Sequence, residues 1–267
     1  MKITSFLTNK YTLSVFILLF CLGVDILLHK GITRVILPES FTAQRTAGTY
    51  ESCDKPLVVK DKKWVKGINT IGKLQQLDTL LAGFEVDVYF DTSKNSFLVY
   101  HDSTVISNLD LQDILQLYQS RQMTASLWLD FKNLSAENLQ QSVRHVLGLR
   151  SRFGLQNKII VESSKPALLQ AYCDNGFFTS YYLPFFNPYL LKEKELVSTI
   201  DKINDDLKKY KVSALSGYYF QYPVVKKYFP SYPFLTWTDN PAISLVAHSL
   251  NRSLLNDAHV KIVLYPE

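Results

Sequence analysis

Residues 125–163 read ASLWLDFKNLSAENLQQSVRHVLGLRSRFGLQNKIIVES, an apolar run, a helical stretch and a second apolar run. The two apolar runs, ASLWLDFK and KIIVES, have the length and the branched and aromatic residues typical of buried strands. The amphipathic stretch between them begins at Ser135, a residue type that favours the N-cap position. A strand, a helix and a second strand of these lengths predict a parallel unit with a right-handed crossover.

The same alternation continues from Lys63 to the end of the chain. Eight strand-like runs alternate with amphipathic stretches. The first amphipathic stretch is IGKLQQLDTLL (residues 71–81). FLVYHD is an extra β segment that follows a turn at residues 93–95. The eight runs are WVKGIN, FEVDVYF, ASLWLDFK, KIIVES, FFTSYYL, VSALSGYYF, PFLTWTD and VKIVLYP. Eight repeats in roughly 200 residues fit a closed TIM-type (β/α)8 barrel better than an open doubly wound sheet. The absence of a Gly-rich phosphate loop or dinucleotide fingerprint also argues against the open sheet.

The N-terminal region contains an apolar run at residues 11–28, YTLSVFILLFCLGVDILL, whose one charge is Asp25. Its length suits a single transmembrane helix ahead of the barrel. Lys2 and Lys10 precede the run, which favours an N-terminus in the cytoplasm. A cleaved signal peptide is the alternative, although the run lacks a good small-residue cleavage site. Both interpretations place the barrel outside the cytoplasm, tethered in the cell envelope or, if the segment is cleaved, secreted.

The chain therefore divides into an anchor at 1–29, a stem or barrel cap at 30–60 and the barrel at 61–267. Its three cysteines are too few for a disulfide framework and lack the spacing of a zinc site. Outside the cytoplasm, Cys53 and Cys173 can form a disulfide. Two unpaired buried thiols fit the sequence equally well.

The composition excludes several classes of protein. The chain has 267 residues with 47% hydrophobic and 20% charged residues, which suits a globular protein rather than a disordered one. A formal net charge of +5 is too small to indicate a nucleic-acid partner. The one tight basic cluster, at residues 60–63, is typical of a solvated turn.

The carboxyl ends of the strands form the site of such a barrel, so the polar residues there are the candidates. Glu85 and Asp87 are two residues apart on one strand and point to the same face. Asp130 ends the strand SLWLD. Buried carboxylates are costly unless they are neutralised, and three of them on neighbouring strands can hold Mg²⁺ or Ca²⁺. The alternative is a set of carboxylates satisfied by lysines or by the backbone.

Four more residues are candidates for contact with a substrate. Lys132 lies two residues after Asp130 and can face an anion or pair with Asp130 or Glu162. His101 follows the strand-like FLVY and suits general acid or base chemistry. Trp237, at the end of the seventh strand, can pack against an organic part of a substrate. Glu162, at the end of the fourth strand, is a weaker candidate, and each of these residues also has a purely structural interpretation.

These motifs, in this order, resemble the glycerophosphodiester phosphodiesterase and phospholipase C-like barrel superfamily. FEVDV followed by LVYHD resembles its Glu-x-Asp metal pair and His-Asp motif, and LDFK resembles the third-strand motif with an acidic ligand and a lysine. LTWTDN resembles the late Trp-Thr-x-Asn motif. The menorin-like branch is also similar, in its Leu-Asp-Phe-Lys motif and its Trp-x-His-x-x-Asn opening. The resemblance covers residues 62–266.

The first strand departs from the family pattern. The family begins its barrel with a catalytic histidine, and two histidines flank the phosphate. Here Asn69 and Thr70 fit the family's Asn-Thr, and Lys66 then stands at the histidine position. A lysine is protonated at neutral pH and is a poor base unless its surroundings lower its pKa, although it can bind a phosphate oxygen.

The resemblance implies a membrane-anchored, metal-dependent phosphodiester hydrolase that acts on lipid head groups or envelope polymers. Its metal, Mg²⁺ or Ca²⁺, would be held by Glu85, Asp87 and Asp130. The implied catalytic and substrate-binding residues are His101, Lys66, Lys132, Asn69, Trp237 and Glu162. Because of Lys66, the alternative is a non-catalytic barrel that binds a phosphorylated glycan, lipid or protein. A structural envelope protein is a third, weaker interpretation.

Overall fold

The structure is a computed structural model that describes residues 10–28, 37, 39, 41–43, 48, 50–101, 106–238 and 244–266. Nine strands form one sheet in the order β1-β9-β8-β7-β6-β5-β4-β2-β3, and the pairing of β1 with β2 closes it. They are β1 (Lys63–Val65), β2 (Gly83–Asp91), β3 (Ser96–Val99), β4 (Ser126–Phe131), β5 (Ile159–Ser163), β6 (Phe178–Tyr182), β7 (Ala214–Tyr218), β8 (Phe234–Trp237) and β9 (Val260–Tyr265). All pairings are parallel except that of β2 with β3. The predicted TIM-type barrel of eight parallel strands is confirmed.

Eight α-helices lie among the described residues, and most of them connect successive strands. They are α1 (Lys10–Leu28), α2 (Ile71–Gln76), α3 (Leu111–Ser120), α4 (Leu139–Arg152), α5 (Pro166–Asp174), α6 (Glu193–Lys209), α7 (Tyr222–Tyr228) and α8 (Leu245–Asn256). In α6 the buried side chains recur at helical spacing, at Leu196, Ile200, Ile203 and Leu207. This apolar stripe packs into the larger hydrophobic core, which lies between the helices and the strands.

Two helices are shorter than predicted. The helix α4 begins at Leu139 rather than at Ser135, because the Ser135 N–H donates to the Asn138 side chain in a turn that precedes the helix. The helix α2 ends at Gln76, because Leu77 has extended backbone angles (φ −67°, ψ 147°) and cannot continue the helix. Neither difference moves a strand.

The interior of the barrel is apolar in its lower part and carries carboxylates above that part. Its lower part is filled by a second, smaller core, formed by Trp64, Ala82, Trp128, Ile160, Phe178, Ala214, Leu235, Ile262 and Leu264. Side chains alternate along a strand, so the inward position after Trp128 is Asp130 and the one after Ile160 is Glu162. The carboxylates therefore stand directly above an apolar plug, at the C-terminal end of the barrel.

Part of the predicted stem or cap, residues 50–60, packs against the opposite end of the barrel. The Val58 carbonyl accepts the Ser126 hydroxyl (2.7 Å), and the Val58 N–H donates to the carbonyl of Asn157, just before β5. A disulfide joins Cys53 to Cys173 in α5, so of the two alternatives for these thiols the structure contains the bridge. This segment therefore covers the N-terminal ends of the strands, away from the site.

The apolar run at residues 11–28 forms most of α1. In the described part of the chain, no helix has the length and hydropathy needed to cross a membrane. The spanning helix predicted at residues 11–28 is therefore not supported by the structure.

Candidate active site

Three carboxylates meet at the C-terminal end of the barrel. Glu85 and Asp87 lie on β2, and Asp130 lies on β4 directly opposite Asp87 in the parallel register. Each offers an oxygen atom, and the three oxygens lie within 4.8 Å of one another. The same three residues were proposed from the sequence as metal ligands, and the structure brings them together.

The three buried carboxylates carry more negative charge than the single lysine in contact with them, Lys132, can balance. Glu85 accepts the Gly67 N–H (2.6 Å), yet burial first, and then the neighbouring Asp87 and Asp130, hold the pKa of Glu85 well above its usual range. Burial also raises the pKa of Asp130, although Lys132 opposes this effect. The cluster therefore has an excess of negative charge that a bound cation would relieve.

Lys132 lies inside the carboxylate cluster. Its Nζ is 2.7 Å from Asp87 Oδ1 and also makes an ion pair with Asp130 Oδ2. Burial by itself lowers the pKa of Lys132, but the Asp130 and Asp87 carboxylates outweigh burial and raise it above its usual value. Of the partners predicted for this lysine, the described ion pairs include Asp130 and not Glu162.

Asn69 holds Asp87 in place. Its Nδ2 donates to Asp87 Oδ2 (2.5 Å), and the Asp87 N–H donates to Asn69 Oδ1 (2.9 Å). Both polar atoms of the amide are thus engaged by one residue of the cluster. The predicted contact of Asn69 with a substrate stays a prediction, and the contact observed is one that positions Asp87.

A cavity of about 470 Å³ opens above the carboxylates. Lys66 follows β1 directly and lines this cavity, with its Nζ 3.5 Å from the Thr238 carbonyl. His101, which follows the strand β3, lines it as well. The structure therefore places both predicted catalytic side chains on the same cavity as the carboxylate cluster.

The side of the cavity opposite the carboxylates is aromatic. Tyr182, Tyr218 and Trp237 end β6, β7 and β8 and line the cavity together. The Trp237 ring lies 5.4 Å from that of Tyr182 and 5.0 Å from that of Tyr218, both edge to face. Trp237 was predicted from the sequence as a substrate contact, whereas neither tyrosine was singled out. The sequence feature that could have identified them is their place in FFTSYYL and VSALSGYYF, where each is the last residue of its strand that points into the barrel.

Glu162 is a fourth carboxylate next to the cluster, paired in register with Asp130. It is 2% exposed, and burial, followed by the charge of Asp130, raises its pKa to about 8. In the portion of the chain that is described, its Oε2 atom lacks a well-formed hydrogen bond. The Ser216 hydroxyl and the Trp128 indole N–H are nevertheless close enough to lower its pKa in part.

The segment after β1 contributes two residues that were not predicted to belong to the site, Gly67 in the turn and Lys73 in α2. Gly67 has a φ of +73°, a conformation that glycine adopts without strain, and its N–H points at Glu85. The Lys73 Nζ lies 3.1 Å from the Gly67 carbonyl and also lines the cavity. Gly67 lies inside the predicted strand WVKGIN, and a glycine within a strand pattern, which often marks a bend, was the available signal. Of the motif residues, Asp102, Asp239 and Asn240 lie outside the described residues.

These residues fit a hard divalent cation. The donor set consists of carboxylate oxygens from two adjacent strands, which is the chemistry that Mg²⁺ and Ca²⁺ prefer. A further observation that fits a nearby cation is the buried Glu162 beside the cluster, whose Oε2 lacks a well-formed hydrogen bond among the described residues. The arrangement can therefore hold a cation on one side of a cavity and an organic group on the other.

Comparison with known proteins shows the fold. No family model matches the chain, and no curated protein is similar to it in sequence. A glycerophosphodiester phosphodiesterase from Parabacteroides distasonis is similar in structure, with a TM-score of 0.54, 14% identity and coverage of 77% of this chain and 93% of the other. A Silicibacter pomeroyi protein described provisionally as a glycerophosphoryl diester phosphodiesterase has a TM-score of 0.55, 13% identity and coverage of 79% and 91%.

A third structure was solved with a bound product. The Oleispira antarctica phosphodiesterase in complex with sn-glycerol-3-phosphate has a TM-score of 0.50, 10% identity and coverage of 79% of this chain and 93% of the other. The resemblance that the sequence motifs indicated is thus confirmed at the level of the fold, because the chain has the same barrel fold as these three proteins.

Proposed function

We propose that this protein is a metal-dependent phosphodiester hydrolase. The observation that carries the proposal is the set of three carboxylates with Lys132 at the mouth of a barrel shared with phosphodiesterases of known structure. The product complex of the Oleispira antarctica enzyme supports a phosphodiester as the substrate class. A glycerophosphodiester derived from a lipid head group, or an envelope polymer with the same linkage, meets this description.

The carboxylates Glu85, Asp87 and Asp130 would hold the cation, Mg²⁺ or Ca²⁺. When bound, the cation would polarise the phosphodiester and stabilise the charge that develops on its oxygens. Asn69 keeps Asp87 oriented for this task, because it is bonded to that residue through both of its amide atoms.

The remaining residues would act on the phosphate and the leaving group. Lys66 and Lys132 are cations that line the cavity, and they would bind the phosphate oxygens. His101 would donate a proton to the leaving alkoxide from its place on the cavity wall. Glu162 would contribute a polar contact to the substrate from below.

The aromatic side of the cavity would hold the organic part of the substrate. Tyr182, Tyr218 and Trp237 form a continuous wall there, and Phe185, which contacts Tyr218 at 5.1 Å, extends the wall to the surface. Phe185 is 63% exposed. Such an exposed aromatic edge suits a substrate presented at a lipid surface.

We also propose that the barrel lies outside the cytoplasm, tethered by residues 11–28 or secreted if that segment is cleaved. The support is the apolar character of this run and the disulfide between Cys53 and Cys173, since such bridges persist in oxidising compartments.

The direct test is hydrolysis of glycerophosphodiesters by the full chain, with Mg²⁺ or Ca²⁺ added and with a chelator. We expect turnover that needs the metal and that Glu85→Gln and His101→Ala each reduce by about a hundredfold or more. Glu193→Gln, the same chemical change on the exposed start of α6, serves as the matched control. Folded protein without metal-dependent turnover on any glycerophosphodiester would contradict the proposal.

One observation favours a second function, a barrel that binds a phosphorylated ligand without catalysis. Lys66 lines the cavity at the end of β1, where the family resemblance leads us to expect a histidine. Lys66→His distinguishes the two functions. A gain of turnover from an inactive protein would indicate a hydrolase that has lost a catalytic residue.

A further inference from the structure

The ammonium group of Lys132 occupies a position between two of the proposed metal ligands. It is 2.7 Å from Asp87 Oδ1 and paired with Asp130 Oδ2. The other Asp87 oxygen accepts the Asn69 amide, and one Glu85 oxygen accepts the Gly67 N–H. One oxygen of Asp87 and one oxygen of Asp130 are therefore already paired with a cation that belongs to the chain.

A divalent ion cannot share this position with the ammonium. Mg²⁺ and Ca²⁺ bind oxygen at about 2.0–2.6 Å, so an ion between the two aspartates would lie in van der Waals contact with Nζ. Two cations at that distance in a mostly buried site repel each other strongly. The lysine has to leave before the ion can use both aspartates.

The Lys132 ammonium can move from the carboxylates into the cavity above them. Lys132 follows the last residue of β4, its side chain is 25% exposed, and it lines the cavity above the cluster. Its flexible four-carbon stem allows the ammonium to move from the carboxylates to the cavity without any change in the backbone. An anion in the cavity would give the displaced ammonium a new partner.

We infer that Lys132 is an internal counter-ion that competes with the divalent cation for Asp87 and Asp130, and that is released toward the phosphate when the cation binds. This inference rests on the proposed function, because it takes the three carboxylates as the metal site. It adds a coupling: the cation frees the ammonium that binds the phosphate, so cation and phosphate each favour binding of the other. This coupling is reciprocal by thermodynamic linkage.

The test is titration of the purified full chain with Mg²⁺ by calorimetry, with and without inorganic phosphate. Lys132→Met removes the competing charge, and we expect Mg²⁺ to bind at least about tenfold more tightly than in the wild type. Lys132→Arg keeps the charge and should keep the affinity near that of the wild type. Phosphate should tighten Mg²⁺ binding by a larger factor in the wild type than in Lys132→Met, where the cation and Lys66 are left to bind it.

Lys66→Met is the matched control, because it removes the same charge from the same cavity without vacating the carboxylates. It should change Mg²⁺ affinity much less than Lys132→Met. The shift of the melting temperature on adding Mg²⁺ provides a second measure, and it shows whether each variant is folded.

The outcomes separate the inference from the proposed function. Tighter binding in Lys132→Met, or binding in that variant alone, supports the inference. Binding in the wild type that Lys132→Met leaves unchanged or weakens overturns the inference, while the proposed metal site stands. An absence of binding in every folded variant removes the metal site and the inference with it.

Discussion

Asn69 and Asp87 are bonded to each other in both directions, side chain to side chain (2.5 Å) and backbone N–H to side chain (2.9 Å). This pair links the turn after β1 to the buried strand β2. The amide satisfies one carboxylate oxygen of Asp87 and the backbone donor of the same residue. The orientation of a proposed metal ligand is thus set by a residue on the neighbouring strand connection.

Replacing Asn69 by alanine should therefore weaken the site more than the fold. We expect Asn69→Ala to lower Mg²⁺ affinity about 10–100-fold, as the loss of a partner that orients a ligand does. The stability cost should be about 1–3 kcal/mol, because the Asp87 N–H loses its acceptor. Calorimetric titration and urea unfolding measure the two effects.

The control for this variant is Thr70→Ala. Thr70 is the N-cap of α2 and accepts the Lys73 N–H, so its loss costs stability without touching Asp87. Equal losses of metal affinity in the two variants would show that Asn69 acts only through the stability of the turn.

Glu162 gives a prediction for the pH dependence of stability. Burial raises its pKa from 4.5 to about 8 in the folded protein. Between these values the native state holds a proton that the unfolded chain has released, so the stability of the native state falls as the pH rises through this window. Below about 4.5 the effect is absent, and above about 8 the loss is complete.

Glu162→Gln removes this titration, since a glutamine is neutral throughout. We expect the metal-free wild type to lose stability relative to Glu162→Gln as the pH rises from about 5 to about 8. Urea unfolding at a series of pH values measures the difference, and Glu193→Gln on the surface provides the baseline. Parallel curves for the wild type and Glu162→Gln would contradict the raised pKa.

Much of the fold could be predicted because its strands are strongly patterned. The run ASLWLDF is buried on both faces. Because KIIVES follows it after an amphipathic helix, the two strands were expected to pair in parallel. The start of α4 could not be placed, because Ser135 and Asn138 are both good capping residues and only the turn between them decides. Helix ends depend on such local contacts, which the hydrophobic pattern does not contain.

The candidate site was predicted in part for a similar reason. Glu85, Asp87 and Asp130 stand out because carboxylates are rare in buried strands. Tyr182 and Tyr218 do not stand out, since an aromatic residue at a strand end is equally at home against the helices. The position of Lys132 between two aspartates also required the structure, because the spacing alone allowed three different partners.

The barrel interior offers a paired test of packing. A Cβ atom added at Gly83 would lie well inside van der Waals contact with the Trp64 indole, which is fully buried in the inner core. Gly83→Ala should therefore cost about 1–3 kcal/mol through overpacking. Gly148, in the interior of α4, has open space where a Cβ would stand. Gly148→Ala should stabilise the protein by about 0.5–1 kcal/mol through its higher helix propensity.

Both glycine variants are measured by urea unfolding against the wild type. The opposite signs make the pair informative, since a general intolerance of substitution would destabilise both. A neutral Gly83→Ala would mean that the Trp64 indole does not occupy the space beside β2.

The disulfide between Cys53 and Cys173 should contribute several kcal/mol to the free energy of unfolding. It links residues separated by 120 positions and ties the segment that covers the lower end of the barrel to α5. A bridge over so long a loop restricts the unfolded chain, so the double variant Cys53→Ser, Cys173→Ser should lose about 2–5 kcal/mol. Cys21→Ser, which changes the exposed free thiol of α1, should leave stability unchanged. Mass spectrometry after alkylation without reductant should find one modified cysteine in the wild type, and three modified thiols would show that the bridge does not form.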